Sequence, residues 1–461
     1  MAKPAGTENF EQTLARTYQT NPRLMAARAS LRALDESLPQ ARSNWFRPKV
    51  AGSVSANYLL ERQSQTGSSE DPSELELFQP QIWAELSFPL YRGGQTRNAI
   101  LSAQSSIRAG EQRLRSTEQA VLGSAAAAYF AVSYYRSLVR ISLEEIEKGY
   151  LPLEKMLTGM VQNRTSTITD LAQVQLQLQL SRAAYDANLG LVGAAESRFE
   201  AATGALPGDL LVPQLPAVPA ESLAAALRTG LALNPDVLAA NASQTTAGYG
   251  VALQKGALLP NLDLIATVEQ TWTQERTIDA TNRRISDDEL QAVFGFRVSI
   301  PIYAGGARYS EVREARQSET AARDQARYAR RQVRVRIASA WRRQKILQSE
   351  LDFYEQSATA ARQAVEGLLE EFRSGSTSMQ EVLTARETLY LALENAETSR
   401  FKVRMTRVVL LEAMGLFEAR SLKLPVSYYD PGFYLEAVEG KWIGWGIDEE
   451  HPEHEVAATQ R

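Results

Sequence analysis

The sequence contains no cysteine among its 461 residues. Disulfide bonds, thiolate metal ligands, cysteine nucleophiles and lipid attachment to an N-terminal cysteine are therefore excluded. Histidine is almost as scarce, because His451 and His454, both close to the C-terminus, are the only two. Histidine is the side chain most often used for acid–base catalysis and metal binding. The composition thus argues against an enzyme, and no metal site or cofactor is predicted.

Long apolar runs and an excess of positive charge are also missing. A membrane-spanning helix needs about 20 apolar residues, and the longest candidate, Ser124 to Tyr135, is too short. No signal peptide is visible at the N-terminus, so the chain is expected to be a mature form from which the native signal has been removed. The net charge of −4 does not suggest nucleic-acid binding. The eight arginines between residues 323 and 343 are interpreted as a solvated helix face, with a basic binding patch as the alternative.

What the sequence does contain is an internal duplication. Leu86-Ser-Phe-Pro-Leu-Tyr-Arg-Gly-Gly94 returns as Val298-Ser-Ile-Pro-Ile-Tyr-Ala-Gly-Gly306, 212 residues later. Pro48 and Pro260 have the same spacing. Asn21-Pro22 and Asn234-Pro235 are 213 residues apart, and the Gly that ends each repeat, Gly204 or Gly415, is displaced by 211. Several landmarks at nearly one offset indicate two copies of one structural unit.

The duplication divides the chain into four parts. The first repeat covers 1–204 with strands at about 45–62 and 78–92, a linker with four prolines covers 205–219, the second repeat covers 220–415 with strands at about 258–274 and 289–304, and a C-terminal segment covers 416–461. Each repeat is predicted to open with one helix of about 35 residues (about 7–43 and 220–257) and to close with two very long helices. The prolines of the linker exclude a continuous helix there.

The predicted strands alternate between apolar and polar residues. Leu262, Leu264 and Ala266 share one face, whereas Asp263 and Thr267 lie on the other. Segments of about ten residues, long polar loops (about 62–77 and 275–288) and aromatic residues near the strand ends are typical of a transmembrane β-barrel. A soluble sheet with one face on a core is the alternative. Four strands cannot close a barrel, and unpaired edges are costly in a bilayer, so the barrel must be shared between chains.

The helices are too long for a globular domain. A helical stretch runs from Gly94 to about Gln162, which at about 1.5 Å per residue is about 100 Å. The last helix carries a heptad seam of many small residues, which lets helices approach closely: Val382, Ala385, Leu389, Ala392, Ala396, Ser399, Val403, Thr406, Leu410 and Ala413. A seam at the corresponding positions begins at Leu171 in the first repeat. This pattern favours a wall of helices with neighbours on both sides.

Two turns join strands to long helices. Pro89 with Gly93-Gly94, and Pro301 with Gly305-Gly306, follow the second strand of each repeat. Neither glycine pair has the Lys-Ser/Thr signature of a phosphate-binding loop. They are predicted to be turns in which glycine tolerates a positive φ.

These motifs, in order and twice, resemble the TolC family of outer-membrane factors over about residues 7–417. The resemblance rests on the two Pro-x-Tyr-x-Gly-Gly turns, the two Asn-Pro motifs and Gly375-Ser-Thr-Ser-Met-Gln-Glu-Val-Leu-Thr-Ala385. It implies an α+β membrane protein, a homotrimer with a 12-stranded barrel in the lipid of the Gram-negative outer membrane. It also implies a coiled-coil α-barrel in the periplasm and an equatorial belt built from the linker and the C-terminal segment.

The resemblance further implies a passive export channel that docks to a periplasmic adaptor (a membrane fusion protein) and an inner-membrane transporter, either an ABC or a proton-driven one. Type I protein secretion and multidrug efflux both use such ducts. The Asn21-Pro22 region and Leu34–Ala41 favour type I secretion. The alternatives are a soluble periplasmic coiled-coil scaffold or adaptor, which needs no duplicated alternating strands, and an enzyme on a helical scaffold.

In the family the helical tips converge on a closed entrance that carries a ring of acidic residues. Asp170, next to Thr169, matches this position in the first repeat, and Glu381 matches it in the second. Thr384 stands where the family can carry a second acid, and Phe372 stands at the aromatic position. Thr377 stands where the family often has a basic residue. Arg164 occupies in the first repeat the position that Gly375 occupies in the second. Since Thr167-x-x-Asp170 and Ser378-x-x-Glu381 also resemble capping boxes, a purely structural role for the two acids remains open.

Overall fold

The computed structural model describes residues 9–63, 73–211, 215–278, 283–444, 446 and 455–456. His451 and His454, and parts of the predicted polar loops, lie outside these ranges. In chain order the helices and strands of the first repeat are α1 (Phe10–Thr20), α2 (Pro22–Asp35), α3 (Ser37–Arg42), β1 (Lys49–Gln63), β2 (Ser73–Arg92), α4 (Gln95–Glu144), a π-helical segment (Glu145–Tyr150), α5 (Leu151–Gln162) and α6 (Ile168–Thr203).

The second repeat follows the same overall order, but it has no counterpart of α3 and has one continuous helix where the first repeat has α4, the π-helical segment and α5. It consists of α7 (Leu223–Leu233), α8 (Pro235–Gly256), β3 (Asn261–Ile278), β4 (Arg284–Ser299), α9 (Ala307–Arg373) and α10 (Met379–Ala413). The C-terminal segment contributes β5 (Tyr428–Tyr429), α11 (Pro431–Glu439) and β6 (Glu455–Val456).

The lead-in helix of each repeat is divided where a single helix is predicted. The break falls at the Asn-Pro motifs, because Asn21 and Asn234 each cap a new helix with proline at its first position. Asn21 Nδ2 also donates to the carbonyl of Ala202, 3.2 Å away, and Asn234 Nδ2 donates to that of Ala413 at 3.0 Å. In both repeats this asparagine therefore ties the lead-in helices to the end of the last long helix.

The four long strands form one antiparallel sheet in the order β1-β2-β3-β4. The register places Val54 opposite Ile82 and Leu264 opposite Phe296. β2 begins at Ser73, inside the region predicted as a loop, and its residues 74–77 pair with both β1 and β3. Apolar side chains on one face stand open to the surroundings, including Val54 at 78%, Phe294 at 76%, Phe296 at 68% and Val298 at 60% exposure. A soluble sheet would cover such a face with its own core.

The long helices pack side by side. α9 and α10 form the longest pair, and α4 packs against α6, α8 and α10. The predicted seam of α10 is confirmed: nine of its ten positions are buried, and Ala385 is half-buried. Pro152 lies two residues beyond the π-helical segment. Because proline has no N–H to donate and clashes with the carbonyl of the preceding turn, a local widening of the helix ahead of it relieves the strain.

The largest apolar core lies around the middle of the helical region. The run Ser124–Tyr135, too short to span a bilayer, contributes its centre, with Tyr129 and Phe130 almost completely buried. The C-terminal segment adds Phe417 and Leu424, and Leu215 of the linker packs against the outside. The linker and the C-terminal segment therefore both cover the long helix α4.

In the described part of the chain, no helix has the length and hydropathy required to cross a membrane.

Candidate functional site at the helical tips

Each repeat ends its pair of long helices in a short turn, and the two turns lie together. The first turn joins α5 to α6 and the second joins α9 to α10. Side chains from both pairs share one apolar core, which contains Ile146, Tyr150, Leu153, Leu157, Val174, Leu178, Phe372, Met379, Val382 and Leu383. We call this the tip cluster. It fixes the two helical hairpins of one protomer to each other at their ends.

The first tip is a complete capping box. Thr167 Oγ1 accepts from the backbone N–H of Asp170 at 3.1 Å, and Asp170 Oδ2 accepts from the backbone N–H of Thr167 at 3.1 Å. The same carboxylate oxygen accepts from the hydroxyls of Thr167, at 2.6 Å, and Ser166, at 3.0 Å. These hydrogen bonds, with that of the Thr167 hydroxyl the largest effect, hold the pKa of Asp170 below its usual value. Asp170 therefore remains charged, and Thr169 beside it is exposed.

The second tip is a looser version of the first. Ser378 Oγ accepts from the backbone N–H of Glu381 at 3.3 Å, and Thr377 Oγ1 donates to Glu381 Oε2. Glu381 is exposed, as is Thr384 one turn further on, whose hydroxyl donates to the Gln380 carbonyl at 2.9 Å. Asp170 therefore completes a capping box, whereas the Glu381 carboxylate accepts only from the Thr377 hydroxyl among the described residues. Both predicted acids lie in the first turn of a helix, at the end of a hairpin.

Phe372 occupies a different environment from these polar residues. Its side chain is only 9% exposed and belongs to the tip cluster. The structure thus gives this residue a packing role within the hairpin, and it does not group Phe372 with Asp170, Glu381 and the exposed threonines.

The turns themselves need a left-handed residue. Gly375 has φ +79° and Arg164, its counterpart in the first repeat, has φ +58°. Glycine adopts this conformation freely, whereas a residue with a Cβ pays about 1–2 kcal/mol. The turn of the first repeat therefore has the same left-handed backbone conformation at Arg164, in spite of the strain.

A buried charge cluster, not predicted from the sequence, lies further up the hairpins. Arg386 Nε on α10 is 3.4 Å from Glu145 Oε1 in the π-helical segment, and its guanidinium centre is 5.6 Å from the ring centre of Tyr150. A Cβ on Gly149 would lie 2.4 Å from Arg386 Nη2, so only glycine leaves room for the arginine. Burial raises the pKa of Glu145 to about 6, against the opposing influence of Arg386, and burial raises that of Tyr150 to about 12.

This cluster joins the first-repeat hairpin to the second-repeat hairpin. Glu145 and Arg386 are each 9% exposed, and neither Glu145 Oε1 nor Arg386 Nε makes a hydrogen bond of good geometry. Taking two charges out of water is costly unless they stay paired. Pro152 is the local signal in the sequence, because it predicts an irregular helix nearby, but no periodicity pairs residues from different repeats.

The strand-to-helix turns lie at the other end of the long helices. Gly93, Gly94, Gly305 and Gly306 all have positive φ, between +59° and +82°. A Cβ on Gly93 would lie 2.3 Å from the Gly256 carbonyl oxygen at the end of α8, so the first turn is also a close backbone approach. No atom lies within 4 Å of the corresponding position at Gly305 in the described part of the protomer.

The two prolines of these turns differ in setting. Pro89 lies inside β2 and is buried, where the pairing of β2 with β3 shifts register before Tyr91. Pro301 lies two residues beyond the end of β4 and is half-buried. The difference follows from neighbours, because β2 is paired on both sides and β4 on one side within the protomer.

Known proteins share this architecture. A solved structure of CusC superimposes with a TM-score of 0.74 at 14% identity, covering 90% of this chain and 95% of that one. The structure of VceC from Vibrio cholerae gives a TM-score of 0.72 at 16% identity, covering 88% of this chain and 96% of that one. At such identities the likeness shows the fold.

Sequence comparison reaches further. The outer membrane efflux protein BepC of Brucella suis is 30% identical over 449 residues, which are 95% of this chain and 92% of the relative. TolC of Escherichia coli is 23% identical over 436 residues, which are 90% of this chain and 84% of the TolC chain. The family model described as outer membrane efflux protein matches residues 13–205 and 226–416, one match for each repeat. With both repeats matched and a relative of this similarity along nearly its whole length, the chain belongs to the outer membrane efflux protein family.

Proposed function

We propose that this chain is one protomer of a trimeric exit duct and that the helical tips form its periplasmic entrance, ringed by Asp170 and Glu381. Members of the family are passive channels of the Gram-negative outer membrane that project into the periplasm. They conduct substrates delivered by an inner-membrane transporter and a periplasmic adaptor, in efflux or in secretion. The energy for transport therefore comes from the partner pump.

The observation that carries the entrance is the tip cluster. It holds the two tips of a protomer side by side, each with an acid at the start of its second helix. Three protomers around one axis bring six such carboxylates to one end of the helical region. A ring of fixed negative charge at a constriction attracts cations and is the ordinary device by which pores favour them.

Duplication also supports the trimer. Within a protomer the second strand of the first repeat pairs with the first strand of the second repeat. The outer edges of β1 and β4 have no partner within the described sheet, and the apolar face of the sheet is open. Pairing β4 with β1 of the next protomer repeats the internal arrangement and removes both edges.

The entrance is tested in planar lipid bilayers with the double variant Asp170→Asn, Glu381→Gln. Both substitutions keep an oxygen that can accept the hydrogen bonds of the two carboxylates but remove the charge. Single-channel conductance and block by divalent cations added on the periplasmic side are measured. We expect weaker divalent block and a changed conductance.

The matched control removes the same number of charges elsewhere on the helices. Glu314→Gln with Asp352→Asn also replaces one acid of each kind, both exposed on α9. Divalent cations are expected to block the control variant as strongly as they block the wild type. If divalent block is the same in the tip variant and the wild type, the two acids serve only as helix caps.

A further inference from the structure

The C-terminal segment returns to the end of the sheet at which the lead-in helices connect to β1. We call this end of the sheet the foot. Arg42 pairs with the carboxylate of Glu439 at 3.3 Å and also donates to its backbone carbonyl at 3.3 Å. Arg47 Nη1 donates to the carbonyl of Lys441 at 3.1 Å, and its guanidinium centre lies 5.0 Å from the ring centre of Trp442. Residues 439–442 are thus fixed beside the start of β1.

Helix α11 fixes this position through its own packing contacts. Val438 is buried at 2% exposure, and Leu435 packs against the small apolar cluster around Leu38. Tyr434 Oη donates to Glu36 Oε1 at 3.0 Å. The segment is therefore an integral part of the fold.

Large apolar side chains are open at this foot. Trp442 is 64% exposed and Ile443 is 92% exposed. On the strand side of the same region Trp45 is 48%, Phe46 is 52% and Tyr91 is 50% exposed. Trp45, Tyr91 and Arg97 are among the residues that line a cleft of about 280 Å³. An apolar surface of this kind marks an interaction site.

Phe46 shows that this exposure is built into the backbone. It has φ +47°, a conformation that costs a bulky residue about 1–2 kcal/mol. Its ring meets those of Trp45 at 5.9 Å and Phe88 at 6.2 Å between centres. Strain of this kind persists only where the surrounding structure holds the residue in that conformation.

Basic groups surround these apolar side chains. Lys49, Arg97 and Lys441 are exposed, and Arg47 is half-buried beneath Trp442. Of the two acids of α11, Glu439 is paired with Arg42 and Glu436 is exposed. The foot presents three exposed basic side chains that can meet anionic groups.

We propose that this surface, made of Trp45, Phe46, Tyr91, Trp442 and Ile443 with Lys49, Arg97 and Lys441, is a lipid anchor that seats on the phospholipid leaflet facing the periplasm. We call it the foot surface. The apolar rings and Ile443 enter the interfacial region of the leaflet, while the basic groups meet lipid phosphates. The C-terminal segment thereby adds a membrane contact outside the strands and fixes the depth of the sheet.

Two observations favour a lipid surface over a second protein. The foot surface is continuous with the exposed apolar face of β1, where Val50 is 77% and Val54 is 78% exposed. Its mixture of tryptophan, tyrosine, lysine and arginine is the one that proteins place at the boundary between hydrocarbon and headgroups. The proposal rests on the membrane placement of the four strands.

The test uses the absence of cysteine from the chain. Ile443→Cys in the full-length protein is labelled with a nitroxide and reconstituted into vesicles of phosphatidylethanolamine and phosphatidylglycerol. Accessibility to oxygen, which concentrates in lipid, is compared with accessibility to a water-soluble nickel chelate by electron paramagnetic resonance. We expect the oxygen-to-nickel ratio at Ile443 to exceed that of a label at Gln356, exposed on α9, several-fold. A label at Phe294, exposed on β4, gives the value for membrane lipid.

The outcomes are distinct. A ratio at Ile443 equal to that at Gln356 would overturn the anchor. A label that is immobile and inaccessible to both reagents would show a second copy of the chain covering the site, and would also overturn it. If Phe294 itself behaves as if in water, the failure belongs to the membrane placement of the strands and not to the anchor alone.

The basic groups are tested separately. Lys49→Gln with Arg97→Gln is combined with the Ile443 label, in vesicles with phosphatidylglycerol and in vesicles of phosphatidylcholine alone. In the otherwise unchanged protein the oxygen-to-nickel ratio should rise when the anionic lipid is present. The double variant should lose that rise. A rise of the same size in the variant would overturn the assignment of these groups to lipid phosphates.

Discussion

Arg386 and Glu145 join the two repeats of one protomer through a buried ion pair. Their side chains are 11% and 10% exposed, and the pair lies next to the tip cluster, with Tyr150 contributing to both. Because the partners belong to different hairpins, separating the hairpins would leave two charges buried without compensation or open them to water. The pair is thus placed to resist the separation of the hairpins.

The first prediction concerns this pair. Arg386→Leu leaves a buried carboxylate unpaired, a change of the kind that costs about 3–5 kcal/mol. Arg386 lowers the pKa of Glu145, so its removal raises that pKa above about 6. At pH 5 Glu145 in the variant is then neutral, and most of the loss in thermal stability seen at pH 8 should disappear.

Glu145→Gln is the matched control for this experiment. It leaves the arginine without its carboxylate partner. Because the pKa of Glu145 is about 6, the wild type itself holds a largely neutral Glu145 at pH 5, so Glu145→Gln should unfold like the wild type at that pH and differ from it only at pH 8. Thermal unfolding of the detergent-solubilised protein measures both. Equal deficits for Arg386→Leu at the two pH values would contradict the proposed pairing.

The second prediction concerns Glu118, which is half-buried on α4. Burial raises its pKa to about 7, although the backbone N–H of Ala419 donates to its carboxylate at 2.7 Å. Since the folded state holds this proton more tightly than the unfolded one, the group's contribution to stability is full at low pH and is lost as pH rises from about 4.5 to about 7. Glu118→Gln keeps the acceptor and removes the titration, so it should raise the unfolding temperature at pH 8.

At pH 5 the advantage of Glu118→Gln should largely vanish, because the native carboxyl is then protonated. Each unit of pKa shift corresponds to about 1.4 kcal/mol, so the effect at pH 8 is measurable by calorimetry. Asp352→Asn, at an exposed position of α9, serves as the control without such an effect. A variant less stable than the wild type at both pH values would show that Glu118 is needed as a charged partner.

The third prediction is the register between protomers. Leu86 pairs with Ala266 inside the protomer. Adding the repeat offset of 212 residues to Leu86 gives Val298, and subtracting it from Ala266 gives Val54. Val298 of one protomer is therefore expected opposite Val54 of the partner subunit. Oxidation of Val54→Cys with Val298→Cys in membranes should therefore produce a covalently linked trimer on a denaturing gel.

The control for the register is Val54→Cys with Phe294→Cys. Position 294 is four residues away along β4, which is about 13 Å at about 3.3 Å per residue, too far for a disulfide. Cross-linking of the control in place of the predicted pair would mean that β4 and β1 meet in another register, and cross-linking of neither would mean that they do not meet.

The fourth prediction compares the two tip turns. Arg164→Gly removes the strain at φ +58° and should slow amide hydrogen exchange in the turn between α5 and α6. Gly375→Ala introduces strain of about 1–2 kcal/mol and should speed exchange between α9 and α10. Identical exchange in the wild type and both variants would show that neither turn limits local opening.

The periodic features of the fold could be predicted from the sequence. The seam from Val382 to Ala413 follows from its heptad, and the strands around Leu264 follow from alternation, because local periodicity reflects one buried face. The observed strand limits differ from the predicted ones by several residues, since residues 74–77 break the alternation of the strand and yet pair with both neighbouring strands. The Asn21-Pro22 motif served as a landmark of the repeat, although its capping chemistry also marks a helix boundary.

The tip residues divide along the same line. The capping at Thr167 and Ser378 is local, so the sequence shows it. The burial of Phe372 and the pairing of Glu145 with Arg386 depend on how two distant hairpins pack, and no pattern within one segment carries that information.

The most direct test of the shared barrel is the mass of the detergent-solubilised protein, measured by native mass spectrometry. We predict a particle of three chains, each of 50.9 kDa, that is obtained only with detergent. A monodisperse single chain in plain buffer would contradict it.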